Sequence, residues 1–383
     1  MQINIITNID QIKVNEWNAM VGNSNPFIRH EFLLALEKHQ CVGEDFGWIP
    51  RHIVAFNNNQ QIVGAIPLYL KYNSYGEFVF DWGWADAYHR AGLNYYPKLV
   101  CTTPYTPATG PRILTAKDSD HQQISALLIN TALALADEHK ASSLHWLFTS
   151  KPDTEILVHH EFMLRQGYQF HWTNNKYNNF EDFLARLNSK NRKKIKRERK
   201  LVHEADITFK ILEGRLITED QWRIFHRFYQ STFNRLGGYA TLCLEFFIEI
   251  GKTMPDQVLL VLAEKDDKTI AGAFSMRDEN TLYGRHWGCE AKYNNVHFEA
   301  CYYQGIDYCI KQGLKTFEPG AQGEHKLSRG FLPTRTYSTH WIRHPGFRDA
   351  IAEFLEQETQ GIDMYIKDLL EHSPYKSTEK ATH

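Results

Sequence analysis

The sequence predicts an α+β protein built from two similar domains in tandem, each a mixed, mostly antiparallel sheet flanked by helices. The chain has 383 residues, more than one hydrophobic core usually supports. The two halves also share anchor residues in the same order, and both run through strands and helices in the same succession. We therefore predict an N-terminal domain over residues 1–180, a linker helix over 181–205 and a C-terminal domain over 206–383.

Alanine, glycine and tryptophan residues mark the internal repeat. In each half an alanine lies nine positions before a Gly-Ala pair, and a tyrosine lies six positions after the tryptophan of a later Trp-Gly pair. A repeat constrains the architecture before single motifs are considered, so we expect the two sets to occupy equivalent sheet positions. They are Ala55, Gly64, Ala65, Trp82, Gly83 and Tyr88 in the first half, and Ala263, Gly272, Ala273, Trp287, Gly288 and Tyr293 in the second.

Each half predicts an antiparallel meander, then a helix, then a strand that returns to the same sheet. Apolar runs bounded by polar turns predict the strands, and longer periodic runs predict the helices. With the helix between a meander and a returning strand, we expect it to pack on one face of the sheet. The segments are strands beginning at 52–56 and 258–263, helices at 124–140 and 297–313, and returning strands at 142–148 and 314–320.

Composition excludes several classes of protein. The formal net charge is −2 and the pI is near 6.8, so bulk electrostatics do not predict a polyanion-binding protein. Six scattered cysteines without a Cys-x-x-Cys pair favour free thiols and argue against a thiolate zinc site. Motifs of other metal enzymes are missing as well, so no metal is expected. No apolar run is long enough to span a membrane and the N-terminus does not resemble a secretory signal, which favours a cytoplasmic protein.

Eight lysines and arginines crowd the eleven positions from Lys190 to Lys200, between the two halves. One interpretation is a solvated connecting helix. The other is a helix that binds the phosphates of a nucleotide, a coenzyme or an RNA such as tRNA, since Lys and Arg are the residues that neutralise phosphate. In either case Ile195 and other apolar residues give the segment an apolar edge that can pack on a core. We therefore expect an ordered helix packed on the second domain.

Three stretches resemble the FemAB-like group of predicted N-acyltransferases, which is described by peptidoglycan biosynthesis or recognition. They are FDWGWADAYHRAGLNYYPKLV, LNSKNRKKIKRERK and HFEACYYQGIDYCIKQGLKTFEPGAQGEHKLSRGF. The resemblance implies two tandem Gcn5-related N-acetyltransferase (GNAT) folds. It also implies transfer of an acyl or aminoacyl group from acyl-coenzyme A or aminoacyl-tRNA to an amine of a small-molecule or muropeptide-like acceptor.

The sequence departs from GNAT enzymes at the coenzyme site. Those enzymes carry an Arg/Gln-x-x-Gly-x-Gly/Ala loop whose backbone N–H groups hold the pyrophosphate, whereas this chain has GCEAKYNNVHFE before the second-half helix. The departure weakens acetyl-coenzyme A as donor and favours another donor, such as aminoacyl-tRNA. It also leaves open a non-catalytic protein that binds a peptidoglycan fragment or a phosphorylated metabolite.

Candidate site residues are densest in the second half. Acyl transfer to an amine requires a base, donors for the oxyanion and an acid for the leaving group, and polar loops at strand ends often provide them. His325 or Glu324 could act as the base, while Lys326 and Arg329 could bind a phosphate or carboxylate; a surface loop is the alternative. The catalytic candidates are Glu299, Tyr303, Glu318, Glu324 and His325, and the binding candidates are Arg285, His286, Gln304, Gln322, Lys326 and Arg329.

A second set of candidate binding residues follows a predicted strand in the first half. Aromatic rings beside acids suit a sugar or peptide ligand, and an aromatic corner of the core is the alternative. The proline-rich run TPYTPATGPR is expected to line the same cleft. The set comprises Trp82, Trp84, Asp86, Tyr88, His89, Arg90, Tyr105 and Arg112.

Overall fold

The computed structural model describes residues 1–291, 293–321 and 323–376, which form two compact units. Unit 1 comprises residues 1–167 and 335–364, and unit 2 comprises 168–334 and the described residues from Tyr365 onwards. This division differs from the sequential one predicted above, because segment 335–364 belongs to unit 1 and segment 181–205 lies inside unit 2. Its physical cause is strand pairing, since residues Ser338–Ile342 are hydrogen-bonded to Ser143–Leu147 of unit 1.

Unit 1 contains two groups of paired strands. One has the order β1-β3-β4-β7 and is antiparallel throughout, and the other includes β2, β5, β6 and β8. The strands are β1 (Gln2–Ile6), β2 (Trp48–Pro50), β3 (His52–Phe56), β4 (Ile62–Ile66), β5 (Leu68–Lys71), β6 (Lys98–Cys101), β7 (Leu114–Thr115) and β8 (Ser143–Leu147). The helices are α1 (Val14–Val21), α2 (His30–Lys38), α3 (Trp82–Arg90), α4 (His121–Glu138) and α5 (Lys151–His159).

Unit 2 carries the order β10-β11-β12-β13-β14, followed by residues of β9. Its strands are β9 (Met163–Thr173), which begins in unit 1, β10 (Thr208–Glu213), β11 (Val258–Lys265), β12 (Lys268–Arg277), β13 (Thr281–Cys289) and β14 (Thr316–Glu318). Its helices are α6 (Phe180–Arg186), α7 (Ser189–Glu204), α8 (Glu219–Arg235), α9 (Leu244–Thr253), α10 (Val296–Phe298) and α11 (Gln304–Gln312). The last two elements of the described residues are β15 (Leu332–Ile342) and α12 (Pro345–Glu371).

The predicted meander, helix and returning strand are present in the second half. β11, β12 and β13 pair antiparallel in sequence, and α11 leads into β14, as α4 leads into β8 in the first half. The basic segment forms the ordered helix α7, and its Ile195 is fully buried in the core of unit 2. The six cysteines are free thiols. No helix of the described residues combines the length and apolar character needed to cross a bilayer.

The predicted equivalence of the two Trp-Gly anchors is wrong. Trp287 lies inside β13 opposite Ala273, whereas Trp82 is the first residue of helix α3. The cause lies at Pro67, which separates β4 from β5 and cannot donate a ladder hydrogen bond. There the first half changes sheets, since β4 pairs with β3 whereas β5 pairs with β2 and β6.

The two glycines of these anchors allow a direct test. A Cβ on Gly288 would lie 2.2 Å from the carbonyl oxygen of Phe228 on α8, whereas a Cβ on Gly83 would meet no atom within 4 Å. We expect Gly288→Ala to lower the free energy of unfolding by about 1–3 kcal/mol, because backbone must move. Gly83→Ala should leave it unchanged or raise it by up to about 1 kcal/mol, because alanine favours a helix. Urea unfolding of both variants measures this, and equal effects would contradict it.

Candidate functional site

Three neighbouring segments of unit 2 form the candidate site. They are the basic helix α7, a π-helical turn at Glu299–Tyr303 between α10 and α11, and a 3-10 turn at Glu324–Arg329. The side chain of Asn188 caps α7 by accepting a hydrogen bond from the Asn191 N–H. A π-helical turn inside a helix is uncommon and often occurs at functional sites. Helix α7 contacts both turns, and the π-helical turn also contacts β11 and β12.

Arg329 is held by a buried ion pair with Glu198 of α7. Its Nη2 lies 2.7 Å from Glu198 Oε1, and its Nε donates to Glu198 Oε2 at 3.2 Å and to the Tyr303 hydroxyl oxygen at 3.1 Å. The Tyr303 hydroxyl itself donates to Glu198. The guanidinium also stacks on Phe298, 3.5 Å from the ring centroid. Arg329 and Tyr303, both predicted as site residues, are therefore fixed in place.

Glu198 is a site residue that the sequence reasoning missed. Glu198 lies in sequence among the eight cations of the segment. An acid in such a segment is usually expected to form an ion pair on the helix surface. Ile195, Glu198 and Val202 are the buried residues of α7, and their spacing of three and four places them on one helical face. That spacing is the signal that could have identified Glu198.

Glu299 forms a separate pair with Arg199 of α7. Arg199 Nη2 lies 3.0 Å from Glu299 Oε1, and the predicted binding residue Gln304 donates to the same oxygen at 2.8 Å. Burial raises the pKa of Glu299 in spite of the arginine. Glu299 is therefore paired with neighbouring side chains of unit 2, as buried polar groups usually are.

His325 lies among aromatic side chains and can accept a proton. Its Nε2 is 2.8 Å from the Tyr302 hydroxyl, and the rings of Phe298 and His297 lie 5.7 and 6.2 Å from its own, centroid to centroid. Burial, and then the nearby cations Arg329 and Lys326, lower the pKa of His325. The imidazole is therefore neutral at physiological pH.

Lys326 is a buried cation without an acidic partner among the described residues. Its side chain is 2% exposed, and its Nζ donates to the carbonyl oxygen of Gly320 at 2.7 Å. Burial lowers the pKa of Lys326 to about 8. Because an isolated buried charge is unfavourable, an arriving negative charge would be stabilised strongly here.

The remaining second-half candidates lie where the pairing of β13 with β14 ends. β13 pairs with β14 only over Thr281–Tyr283, although β13 continues to Cys289. Glu318 ends β14, and burial lowers the pKa of Arg285, beyond the paired part of β13, to about 10 although Glu318 opposes this. His286 stacks on Phe274 with centroids 6.2 Å apart, and burial lowers its pKa.

Glu324 is not part of the cluster formed by the other candidates of the 3-10 turn. Glu324 accepts a hydrogen bond from the hydroxyl of Tyr365 on α12, so its carboxylate is engaged away from Lys326 and Arg329. Gln322 lies outside the described residues. The structure therefore brings together Tyr303, His325, Lys326 and Arg329, and it adds Glu198 and Tyr302.

The first-half candidates do not form one cleft. Trp84 and Tyr88 are buried in a core cluster of unit 1, and Tyr88 stacks on Phe347 at 4.0 Å. The guanidinium of Arg112, which is fully buried, donates to the carbonyl oxygens of Leu147, Ala108 and Pro111, and such bonds stabilise the loop. Tyr105 donates to the Cys41 carbonyl oxygen at 2.9 Å. The other four candidates are exposed on α3, namely Trp82, Asp86, His89 and Arg90.

Unit 1 instead contains a buried ionic cluster that the sequence did not reveal. Lys98 Nζ donates to Glu77 Oε2 at 2.8 Å, to Ser74 Oγ at 2.8 Å and to the carboxylate of Asp81. Burial would raise the pKa of Asp81, but Lys98 and His145 lower it to about 2. Burial raises the pKa of Glu77 to about 7 although Lys98 opposes this. Tyr95 donates to Asp81 Oδ2 at 2.6 Å.

Comparison with known proteins identifies a family for this chain and a solved structure that shares its fold. The model of the FemAB-like family, described by peptidoglycan biosynthesis/recognition, matches residues 8–377, and the chain belongs to this family. The crystal structure of FemX is similar with a TM-score of 0.55 at 12% identity, over 92% of this chain and 100% of FemX. No curated protein matches the sequence significantly.

A second similar structure has no assigned function. It is a conserved protein from Bacteroides thetaiotaomicron, with a TM-score of 0.53 at 10% identity, over 90% of this chain and 100% of that protein. At these identities the similarity establishes the fold alone.

Replacing Lys98 tests the buried cluster. Lys98→Met would leave the Asp81 carboxylate buried without its lysine, and Glu77 would keep only Lys71, whose Nζ is 3.9 Å from Glu77 Oε1. We expect the free energy of unfolding to fall by about 3–5 kcal/mol. The matched control is Lys196→Met, which breaks a 2.7 Å ion pair with Glu181 whose side chains are 52% and 70% exposed. Surface pairs contribute about 0–1 kcal/mol. Urea unfolding near neutral pH measures the free energy of unfolding of both variants. Similar losses in the two would contradict the view that Lys98 neutralises a buried ionic cluster.

Replacing Lys326 should increase stability at pH 7. The folded pKa is lowered to about 8 from an unfolded value near 10.4, so the unfavourable buried charge is fully present below pH 8. Between pH 8 and about 10.4 the unfolded chain binds more protons, and wild-type stability rises with pH. We therefore expect Lys326→Met to raise the free energy of unfolding by about 1–3 kcal/mol at pH 7, with the difference narrowing above pH 8.

The control for this prediction is Lys311→Met, which removes a lysine that is 67% exposed and paired with Asp307. This variant should show no comparable gain in stability at any pH. Unfolding curves in urea between about pH 7 and about pH 10 give the comparison. A loss of stability in Lys326→Met at pH 7 would show that the ammonium is well compensated in the folded protein.

Proposed function

We propose that this protein transfers an aminoacyl or acyl group to an amine of a peptidoglycan precursor, with the reaction at the 3-10 turn of unit 2. The observation that carries the proposal is Lys326, a buried cation without an acidic partner among the described residues. Membership of the FemAB-like family supports the type of reaction and the class of acceptor.

The turn provides the groups that acyl transfer to an amine requires. The attacking amine loses a proton, and the neutral imidazole of His325 can accept it. The carbonyl carbon becomes tetrahedral and its oxygen becomes negative, and the ammonium of Lys326 would stabilise this oxyanion in a site that excludes water. When the intermediate collapses, the bond to the donor breaks, and the His325 imidazolium returns its proton to the leaving oxygen or sulfur. Arg329 positions the turn through its bond to the carbonyl oxygen of His325.

The donor in this proposal is an aminoacyl-tRNA that lies on α7. Lys190, Lys193 and Arg197 are exposed and form no ion pair among the described residues, and their spacing places them close together on the helix surface. Unpaired cations on one surface repel each other, and phosphates relieve this repulsion. Helix α7 also reaches the turn directly, since Lys194 Nζ donates to Ser328 Oγ at 3.0 Å. The alternative donor is an acyl-coenzyme A, and the experiment must distinguish it from aminoacyl-tRNA.

Transfer assays with both donors test the proposal. The full chain is incubated with a nucleotide-linked muropeptide and either radiolabelled aminoacyl-tRNA or radiolabelled acetyl-coenzyme A. We expect transfer from aminoacyl-tRNA, and we expect Lys326→Met to lower kcat about 10²- to 10³-fold, because it removes the charge at the oxyanion. The Lys311→Met variant should retain wild-type kcat, since that lysine is exposed on α11.

The other outcomes discriminate between the remaining hypotheses. Transfer only from acetyl-coenzyme A would exclude the tRNA donor. If neither donor supports transfer while the muropeptide raises the Tm of the protein, the chain is a recognition protein and the proposed reaction is wrong. Equal kcat in the wild type and Lys326→Met would remove Lys326 from the mechanism.

A further inference from the structure

The segment of unit 1 that connects β5 to α3 has its polarity reversed. Its aromatic side chains face solvent, whereas its charged side chains face the interior. Between Tyr72 and Trp82 the only charged residues are Glu77 and Asp81, and both are 3% exposed. The aromatic loop is defined here by five exposed rings: Tyr72 (53% exposed), Tyr75 (68%), Phe78 (39%), Phe80 (55%) and Trp82 (43%).

Buried ion pairs hold the loop in this orientation. Lys98 Nζ binds Glu77 Oε2 at 2.8 Å and the carboxylate of Asp81, so the acids on either side of Phe78 and Phe80 are drawn inward. Arg165 Nη1 donates to the carbonyl oxygen of Phe80 at 2.8 Å, and Arg165 is in turn paired with Glu358. The rings therefore face outward because the charged residues between them are fixed below the surface.

We propose that the aromatic loop inserts into the interfacial region of a lipid bilayer. Exposed aromatic rings are unfavourable in water, and several of them within one short surface segment mark an interaction site. Tyr72, Tyr75 and Trp82 combine an apolar ring with a polar group, which suits the headgroup level, and the wholly apolar Phe78 and Phe80 suit the acyl-chain boundary. Tyr75 and Trp82 pack edge to face with centroids 5.2 Å apart, so part of the surface is preorganised.

The charge of the loop distinguishes a bilayer from a glycan. A saccharide site places carboxylates or amides next to the rings to bind hydroxyl groups, but the two acids of this loop are buried against Lys98. An uncharged aromatic surface instead complements the neutral interface of a bilayer, and its binding does not require anionic lipid. This inference goes beyond the proposed reaction and does not depend on it.

Vesicle sedimentation tests the inference with the full chain. Phosphatidylcholine vesicles are mixed with the protein at about 0.1 M and about 0.5 M salt. We expect binding that changes less than about two-fold between the two salt concentrations, since no exposed charge takes part. The double variant Phe78→Ser/Phe80→Ser should lower the partition coefficient by about ten-fold or more, because each ring contributes buried apolar area.

The matched control is Phe354→Ser on α12, which removes a ring of comparable exposure, 44%, and should leave partitioning unchanged. A second measurement is the quenching of tryptophan fluorescence by brominated lipid, which should be lost in Trp82→Phe. Failure to sediment with phosphatidylcholine, or equal losses in the Phe354 control, would overturn the inference. Binding only to phosphatidylglycerol vesicles, removed by salt, or fluorescence protection by soluble glycan fragments without vesicle binding, would overturn it as well.

Discussion

The buried pair between Glu198 and Arg329 determines the arrangement of the candidate site. It joins helix α7 to the 3-10 turn, and the same guanidinium bonds to Tyr303, to the carbonyl oxygen of His325 and to the ring of Phe298. A charge buried without its partner is strongly unfavourable, so the turn has one stable position relative to the helix. The positions of His325 and Lys326 follow from that position.

The same pair gives the basic helix two different surfaces. Towards the core, Ile195, Glu198 and Val202 are buried, and Glu198 is neutralised. Towards solvent, Lys190, Lys193 and Arg197 keep their charge available. A segment that the composition describes only as strongly cationic therefore has one face packed against unit 2 and another face that presents cations to solvent. Replacing Glu198 would disturb the packing of α7 on unit 2 more than replacing the exposed cations, because Arg329 is held by Glu198.

Much of the fold could be predicted because it rests on local patterns. Alternating and periodic apolar residues located β11, β12, α4 and α11, and the apolar edge at Ile195 predicted the packing of α7. Long-range pairing could not be predicted in this way. Lys98 meets Glu77 and Asp81 only because β6 and the preceding loop converge, and β15 pairs with β8 across almost two hundred residues of sequence. Trp82 and Trp287 are both followed by glycine, but Trp82 begins helix α3 and Trp287 lies in β13. The difference follows from Pro67 and from the strands that pair on either side of it.

The pairing of β15 with β8 also affects how the chain can fold during its synthesis. Unit 1 begins at Met1, yet it includes residues 335–364. A ribosome that has produced residues 1–167 has made β8 and its partner β6, but β15, the second partner of β8, is still missing. The whole of segment 168–334 must be translated before residues 338–342 of β15 can pair with β8. Domains usually fold in the order in which they emerge. Here the order is reversed for one strand, so the unit that starts first is completed only after residues 168–334 of the second unit have been translated.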